Sequence, residues 1–327
     1  MPDRLPIAPQ LFGVSARLNG YAIRRYVTDG EVIAECQLRL RDEIGHDILF
    51  AFADLSVEAE AIGCLLRYED DAYPAILEPA LGHFCDIGTL QPPDPERNAR
   101  MPVILDACTR LREAAGNECF VASCIMGPLS IAAQIMGIER FLYSLVDSPG
   151  DVVKVLDFAE KVSVDYGKAL LRAGAHCIVV FDPVASPVVL PPSLFLRYEA
   201  PRLQKMYASF RAEGALVSWI SIAGDTRKIL PCFESLGINI ATIDYGVPLS
   251  EAFSLLGNVA INGTVDTYFF VSGTPPEIKR IVKEGIMKAK GRNKYIVGSG
   301  CEVPIETCFE NIRALVEAVE ESCTIRP

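Results

Sequence analysis

Histidine is scarce in this sequence of 327 residues: His46, His83 and His176 are the only three. Chemistry that depends on a histidine cluster is therefore nearly excluded. The sequence also has no Gly-rich dinucleotide fingerprint and no GxxxxGK[ST] phosphate loop, which argues against a Rossmann protein or a nucleotide hydrolase.

Positive charge is in the minority, with 31 Lys and Arg against 42 Asp and Glu and a net charge of −11. A chain without a basic excess has little to neutralise phosphates, so we expect no general nucleic-acid binding. No stretch approaches the roughly 18 uninterrupted apolar residues of a membrane helix. The first residues also lack the apolar core of a signal peptide. We therefore expect a cytoplasmic protein with no membrane partner.

Cysteine is present but not in a pattern that indicates disulfides. The eleven cysteines are odd in number, scattered and without a Cys-x-x-Cys spacing. Many lie in apolar runs, such as residues 175–180, where a thiol behaves as a small hydrophobic group. The sequence predicts mostly reduced cysteines in the core.

Apolar residues are abundant, at 50% of the chain, and they occur as short runs that alternate with amphipathic segments. The runs predict buried strands over residues 47–52, 120–124, 177–181, 216–220, 240–243, 259–262 and 295–297. The amphipathic segments predict helices over residues 101–115, 151–173, 192–213, 226–236, 248–256, 275–289 and 308–321.

Continuous apolar strands between helices are typical of parallel βα units that are covered on both faces. Seven such strands favour a (β/α)8 TIM-type barrel over an open sheet. The proline-rich region from about Tyr68 to Arg100 has no clear periodicity, and we interpret it as an irregular, lid-like insertion after the first βα unit. The prediction is one domain over residues 1–327.

Acidic residues follow the predicted strands, at the end where a barrel of this kind carries its site. They are Asp54, Asp182, Asp225, Asp244, Asp266 and Glu302. Each could instead cap a helix, and Asp225 looks most like a cap. Asp54 and Asp182 stand directly after apolar strands and are better site candidates. Cys301 is flanked by a glycine at a strand end, where its sulfur could serve as a thiolate or metal ligand.

Four segments together carry a family resemblance: Gly127–Gln134, Asp182–Pro187, Gly298–Pro304 and the tail Glu306–Ala318. In order and spacing, from about Leu49 to Glu320, the chain resembles the uroporphyrinogen decarboxylase superfamily. It is most similar to the branch of corrinoid-dependent methyltransferases such as methylcobalamin:coenzyme M methyltransferase.

The true decarboxylases carry an arginine-rich N-terminal segment and a late histidine. Here the N-terminal part reads Ala16-Arg17-Leu18-Asn19-Gly20-Tyr21, and no histidine follows His176. The resemblance therefore implies a methyltransferase. The position of Asp54 matches the pyrrole-binding aspartate of the decarboxylases, but an acid there is also usual in the methyltransferases.

Methyltransferases of this branch that activate thiols hold zinc through a His-x-Cys-Gly motif and a later cysteine. In this chain the first motif reads Ser221-Ile222-Ala223-Gly224, so only Cys301 matches a family ligand. Zinc could be held by a substitute set drawn from Cys301, Cys124, Asp182, Glu302 and His83. Alternatively, the enzyme is metal-free and uses an acidic residue to protonate a leaving oxygen.

We predict a methyltransferase that moves a methyl group between a small molecule and a corrinoid carried by a partner protein. The alternatives are a decarboxylase or lyase of the same family, and a degenerate member that only binds. The predicted catalytic residues are Asp54, Asp182 and Ser221, and Cys301 is the candidate metal ligand. The predicted substrate contacts are Gly127, Pro128, Ser186 and Asp225.

Overall fold

A computed structural model describes residues 4–290 and 294–323, apart from the side chains of Phe84, Cys85 and Thr264. Its strands are β1 (Ile48–Ala51), β2 (Leu65–Glu69), β3 (Ala72–Glu78), β4 (Phe120–Met126), β5 (Cys177–Phe181), β6 (Val217–Ser221), β7 (Ile240–Ile243), β8 (Ala260–Val265) and β9 (Tyr295–Ser299). Seven of them form one parallel sheet in the order β1-β4-β5-β6-β7-β8-β9. The other two, β2 and β3, pair as an antiparallel hairpin.

Helices precede β1, follow β9 and connect most of the successive strands of the parallel sheet. They are α1 (Gly13–Leu18), α2 (Ile23–Thr28), α3 (Gly30–Ile44), α4 (Val57–Ile62), α5 (Met101–Ala115), α6 (Pro128–Met136), α7 (Ile138–Asp147), α8 (Pro149–Arg172), α9 (Pro192–Leu194), α10 (Ala200–Ala212), α11 (Leu249–Leu255), α12 (Thr267–Ser272), α13 (Pro275–Lys288) and α14 (Phe309–Cys323). A π turn over Phe195–Glu199 joins α9 to α10. The apolar stripe that predicted a helix over residues 151–173 is buried in α8, at Val152, Val155, Leu156 and Ala159.

The predicted α/β class and parallel sheet are confirmed, and the fold is TIM-barrel-like. Two predictions are wrong. Residues 226–236 form only short 3-10 turns at Leu230–Cys232 and Glu234–Leu236, because Pro231 cannot donate the amide hydrogen bond of a helix interior. The region after the first βα unit is also more regular than expected, because residues 65–78 form the β2–β3 hairpin.

The N-terminal segment 6–10 lies against both edge strands of the parallel sheet. On one side, Ala8 N–H donates to Val297 O and Val297 N–H donates to Pro6 O, both at 2.8 Å. On the other side, Asp47, the residue directly before β1, donates its N–H to Ile7 O at 2.9 Å. The Asp47 carboxylate accepts from Ile7 N–H at 2.7 Å and pairs with Arg4. This segment therefore links the first strand to the last.

Buried apolar side chains from all seven parallel strands belong to one contiguous cluster, which includes Phe12, Phe50 and Trp219. Among the described residues, no single helix is long and apolar enough to cross a membrane. Helices α6 and α7 together have the length and apolar composition of such a span, but the pair is bent by 110°.

Replacing Asp47 with alanine removes the acceptor for Ile7 N–H and the partner of Arg4. We expect the free energy of unfolding to fall by about 1–2 kcal/mol. Amide exchange in segment 4–12 should accelerate more than in the core strands, as measured by mass spectrometry. Asp42→Ala is the control, because Asp42 is exposed and pairs only with its neighbour Arg41. Unchanged exchange in segment 4–12 of Asp47→Ala would contradict this role.

Candidate active site

A cavity of about 310 Å³ opens between the end of β1, the β2–β3 hairpin and α6. Its apolar lining comes from Phe52, Leu55, Pro74 and Ile76. Its polar lining comes from Asp54, Ser56, Tyr73, Gln134 and Glu302. Since β1 and β9 end here, the cavity lies at the carboxyl ends of the strands, where barrel enzymes carry their sites.

Asp54, a predicted catalytic residue, is held by a buried arginine. Arg100 donates from Nη1 to Asp54 Oδ2 and from Nη2 to Asp54 Oδ1 at 3.3 Å, while its Nε donates to Glu60 at 2.6 Å. Ser56 donates from its N–H at 2.8 Å and from its hydroxyl to Asp54 Oδ1. Burial lowers the pKa of Arg100, but Asp54 and Glu60 outweigh it and raise the pKa above its usual value. Asp54 is thus an ion-paired anchor at the cavity wall.

Glu302 faces the same cavity from the segment after β9. Its Oε1 accepts the Tyr73 hydroxyl and Gly13 N–H, the latter at 3.3 Å, and Gly13 N–H also donates to Tyr73 at 2.7 Å. Removal from solvent raises the pKa of Glu302 to about 7, although the Tyr73 hydrogen bond opposes this. Tyr73 comes from β3, so this contact fastens the hairpin to the end of β9.

Ser221 lies deeper, in a layer of polar side chains inside the sheet. Gln10 Nε2 donates to Ser221 Oγ at 3.4 Å and to Thr242 Oγ1 at 3.5 Å. Thr242 donates to Asn262 Oδ1 at 3.2 Å, and Gln10 N–H donates to Ser299 Oγ at 3.0 Å. The N-terminal segment therefore fills the space beside Ser221 with an amide.

Asp182 is fully buried and does not line the cavity. Its carboxylate accepts Leu129 N–H at 3.2 Å and Ser130 N–H at 3.1 Å, which are unpaired donors in the first turn of α6, and the Ser130 hydroxyl at 2.5 Å. It therefore caps the helix after β4 and not the segment after its own strand. Gly127 is needed here, because a Cβ atom would lie 2.2 Å from Asp182 Oδ2. Pro128 begins the capped helix.

Glu199 is the acidic neighbour of Asp182. Both carboxyls are fully buried. Burial first, and then the charge of Asp182, raise the pKa of Glu199 well above its usual value, while burial raises the pKa of Asp182 to about 6. Burial and the neighbouring charge of Asp182 therefore both favour the protonated form of Glu199. Nothing in the sequence around Glu199 predicted this pair.

The other predicted substrate contacts lie away from the cavity. Ser186 donates its hydroxyl to Ala223 O at 2.6 Å and ties the loop after β5 to the loop after β6. Asp225 accepts Arg227 N–H at 3.2 Å and pairs with the Arg227 side chain, which lowers the pKa of Asp225. Asp225 therefore holds the loop after β6 through Arg227, and the helix that it was expected to cap does not form.

The donor set does not fit zinc. Among the described residues, no group of three or more His, Cys, Asp or Glu side chains could hold a metal ion. Cys301 is partly buried, and burial raises the pKa of its thiol. Of its proposed co-ligands, Cys124 is buried in β4 and Asp182 is engaged by α6.

Sequence reasoning missed Tyr73, Arg100 and Gln10. Arg100 stands 46 positions after Asp54, and Tyr73 stands 229 positions before Glu302. Each pairing crosses elements that the sequence pattern did not connect. The one available signal was the placement of a tyrosine and an arginine within the predicted lid region.

The sequence model of the uroporphyrinogen decarboxylase (URO-D) family matches residues 1–322, and the chain belongs to this family. A methylated-thiol–coenzyme M methyltransferase of Methanosarcina mazei is 28% identical over 271 residues, covering 82% of this chain and 71% of that protein. A uroporphyrinogen decarboxylase of Syntrophotalea carbinolica is 26% identical over 301 residues, covering 88% and 83%. The solved structure of a methyltransferase from Methanosarcina mazei has a TM-score of 0.90 at 24% identity, covering 98% of this chain and 95% of that one.

Glu58, beside the site, offers a test of its electrostatics. It is fully buried, its Oε1 accepts Met126 N–H at 2.8 Å, and burial raises its pKa from 4.5 to about 7. A raised carboxyl pKa costs stability as pH rises from the unfolded value to the folded one. Glu58→Gln should therefore gain about 2–3 kcal/mol relative to the wild type between pH 4.5 and pH 8.

Urea unfolding at several pH values measures this difference. Glu113→Gln, on the exposed side of α5, is the control and should differ from the wild type equally at each pH. A Glu58→Gln difference that stays constant with pH would show that folding does not raise the pKa of Glu58.

Proposed function

We propose that the protein is a methyltransferase that moves a methyl group between a small molecule and a corrinoid carried by a separate protein. One observation carries the proposal: a relative named as a coenzyme M methyltransferase matches 82% of the chain. The fold of a methyltransferase, reproduced over 98% of the chain, supports it.

The cavity supports a small substrate. Its volume of about 310 Å³ is at the lower end for ligand pockets. A tetrapyrrole with carboxylate arms is much larger, and it would meet Asp54 and Glu302 without a free cation on the lining. These features argue against porphyrinogen decarboxylation, although decarboxylases are among the relatives.

Tyr73 is the group best placed to give a proton to a leaving oxygen in the cavity, because a departing alkoxide is a stronger base than a tyrosinate. Asp54 is unsuited to that task because Arg100 and Ser56 occupy its oxygens. For a methyl ether, the corrinoid of the partner protein would supply the acceptor for the methyl group, and the carbon–oxygen bond would break in that transfer. The oxygen then takes the proton and leaves as an alcohol. Phe52, Leu55 and Ile76 would hold the methyl end and exclude water.

Closure of the sheet supports access from the strand ends alone. Because segment 6–10 bonds to both edge strands, we infer that it acts as the eighth strand of a (β/α)8 barrel. The contiguous core is consistent with one domain. Substrate and partner would then approach the same face.

The strand-end face carries exposed apolar side chains that suit docking of the corrinoid protein. Val188 follows β5, Tyr245 follows β7 and Tyr268 follows β8, with exposed fractions of 72%, 56% and 69%. Large exposed apolar residues grouped at one face indicate an interaction site. Val188, Tyr245 and Tyr268 together form a rim that the corrinoid protein would contact.

Methyl transfer from a methylated corrinoid protein, assayed beside decarboxylation of porphyrinogens, tests the activity. The missing zinc ligands lead us to expect transfer without stoichiometric zinc. Cys301→Ala should keep transfer within about threefold of the wild type, since a lone thiol holds zinc poorly. Cys308→Ala is the control, because Cys308 is exposed. Stoichiometric zinc that disappears only in Cys301→Ala would contradict the metal-free reaction. No reaction in either assay would leave a protein that only binds.

Charge on the rim should weaken docking. Val188→Asp and Tyr268→Asp should each raise the KM for the corrinoid protein about tenfold while kcat changes little, because they desolvate a charge at the interface. Leu216→Asp is the matched control, since Leu216 is 65% exposed just before β6, at the opposite end of the strands. Equal effects at both ends of the sheet would rule out the rim as the docking face.

A further inference from the structure

The cavity wall carries carboxyl groups and no cationic side chain. The nine lining residues include two carboxyls, Asp54 and Glu302, and no lysine, arginine or histidine. An anionic ligand in this cavity would lose its hydration beside two acids, and the lining has no cation that could pair with it.

The nearest cation cannot turn toward a ligand. Arg100 has five N–H donors. Its Nε donates to Glu60, its Nη1 to Asp54 and to Val27 O, and its Nη2 to Asp54 and Ser56 Oγ. Every nitrogen therefore has a partner, and the guanidinium is buried behind Asp54. Releasing it for an incoming anion would leave Asp54 and Glu60 without a counter-ion.

The lining offers acceptors for a donor group instead. Gln134 donates from Nε2 to Leu55 O at 2.7 Å, and its Oε1 is buried without a hydrogen-bond partner among the described residues. Glu302 Oε2 has no hydrogen bond to the described residues, whereas its Oε1 accepts from Tyr73 and Gly13. Phe52, Leu55 and Ile76 provide the apolar wall beside these acceptors.

We propose that the small substrate carries no negative charge: it is a methylated compound with a hydroxyl or ammonium group that donates to Gln134 and Glu302. This inference takes the methyl group from the proposed function, whereas the charge preference is argued from the cavity lining alone. It separates the chain from relatives named for coenzyme M, because coenzyme M is a sulfonate.

A series of equal length tests the charge preference by binding alone. The probes are 2-(methylthio)ethanol, 2-(methylthio)ethylammonium and 2-(methylthio)ethanesulfonate, which differ only in the head group. Ligand-observed NMR titration of the full chain, without a corrinoid protein, gives each dissociation constant. We expect the sulfonate to bind at least about tenfold more weakly than either of the others.

A cation placed in the lining should reverse the preference. Ile76→Lys adds an ammonium to the cavity wall and should tighten sulfonate binding about tenfold. Ala75→Lys, at the preceding position of β3, adds the same charge outside the lining. It should leave all three dissociation constants within about twofold of the wild-type values. Circular dichroism spectra of both variants check that they are folded.

Sulfonate binding to the wild type as tight as that of the alcohol would overturn the proposal. So would failure of both the alcohol and the ammonium to bind, or a folded Ile76→Lys variant without tighter sulfonate binding. Because no methyl is transferred in these titrations, a failed methyl-transfer assay would overturn the proposed function and leave this result standing.

Discussion

The site depends on the backbone hydrogen bonds of residues 6–8 to both edges of the parallel sheet. A twisted parallel sheet has two open edges, and each edge exposes unpaired N–H and C=O groups. Here one short segment satisfies part of both, through Val297 and Asp47. The same segment then carries Gln10 into the polar layer and leads to Gly13 beside Glu302. The segment that contacts both edges of the sheet therefore also supplies part of the site.

Charge in the site is arranged around a single guanidinium. Arg100 neutralises Asp54 and also pairs with Glu60, so the ion cluster carries one more negative than positive charge. Glu302 stands apart from it and is held by a phenol and an amide. Two carboxyls on one cavity wall thus have different environments, one paired and one desolvated, and they are suited to different tasks.

The sequence pattern predicted the strands well because each is a short apolar run, and the β5 and β7 bounds agree with it residue for residue. It also placed Asp54 and Asp182 alike, directly after a strand. The structure separates them, because α6 begins beside Asp182 whereas Arg100 reaches Asp54 from another part of the chain. Neither contact is local in sequence, so periodicity and turn signals carry no information about it. The β2–β3 hairpin was missed for a related reason: its strands are half exposed and Pro74 interrupts the second.

The π turn before α10 shifts the phase of that helix. An α-helix advances by about 100° per residue, so one additional residue in a turn rotates the preceding part relative to the following part. Glu199 is the last residue of this turn and points inward to Asp182. A chain shortened by one residue here could wind as a continuous α-helix. In that continuous helix, the apolar face of α10 and the Glu199 side chain could no longer both face inward.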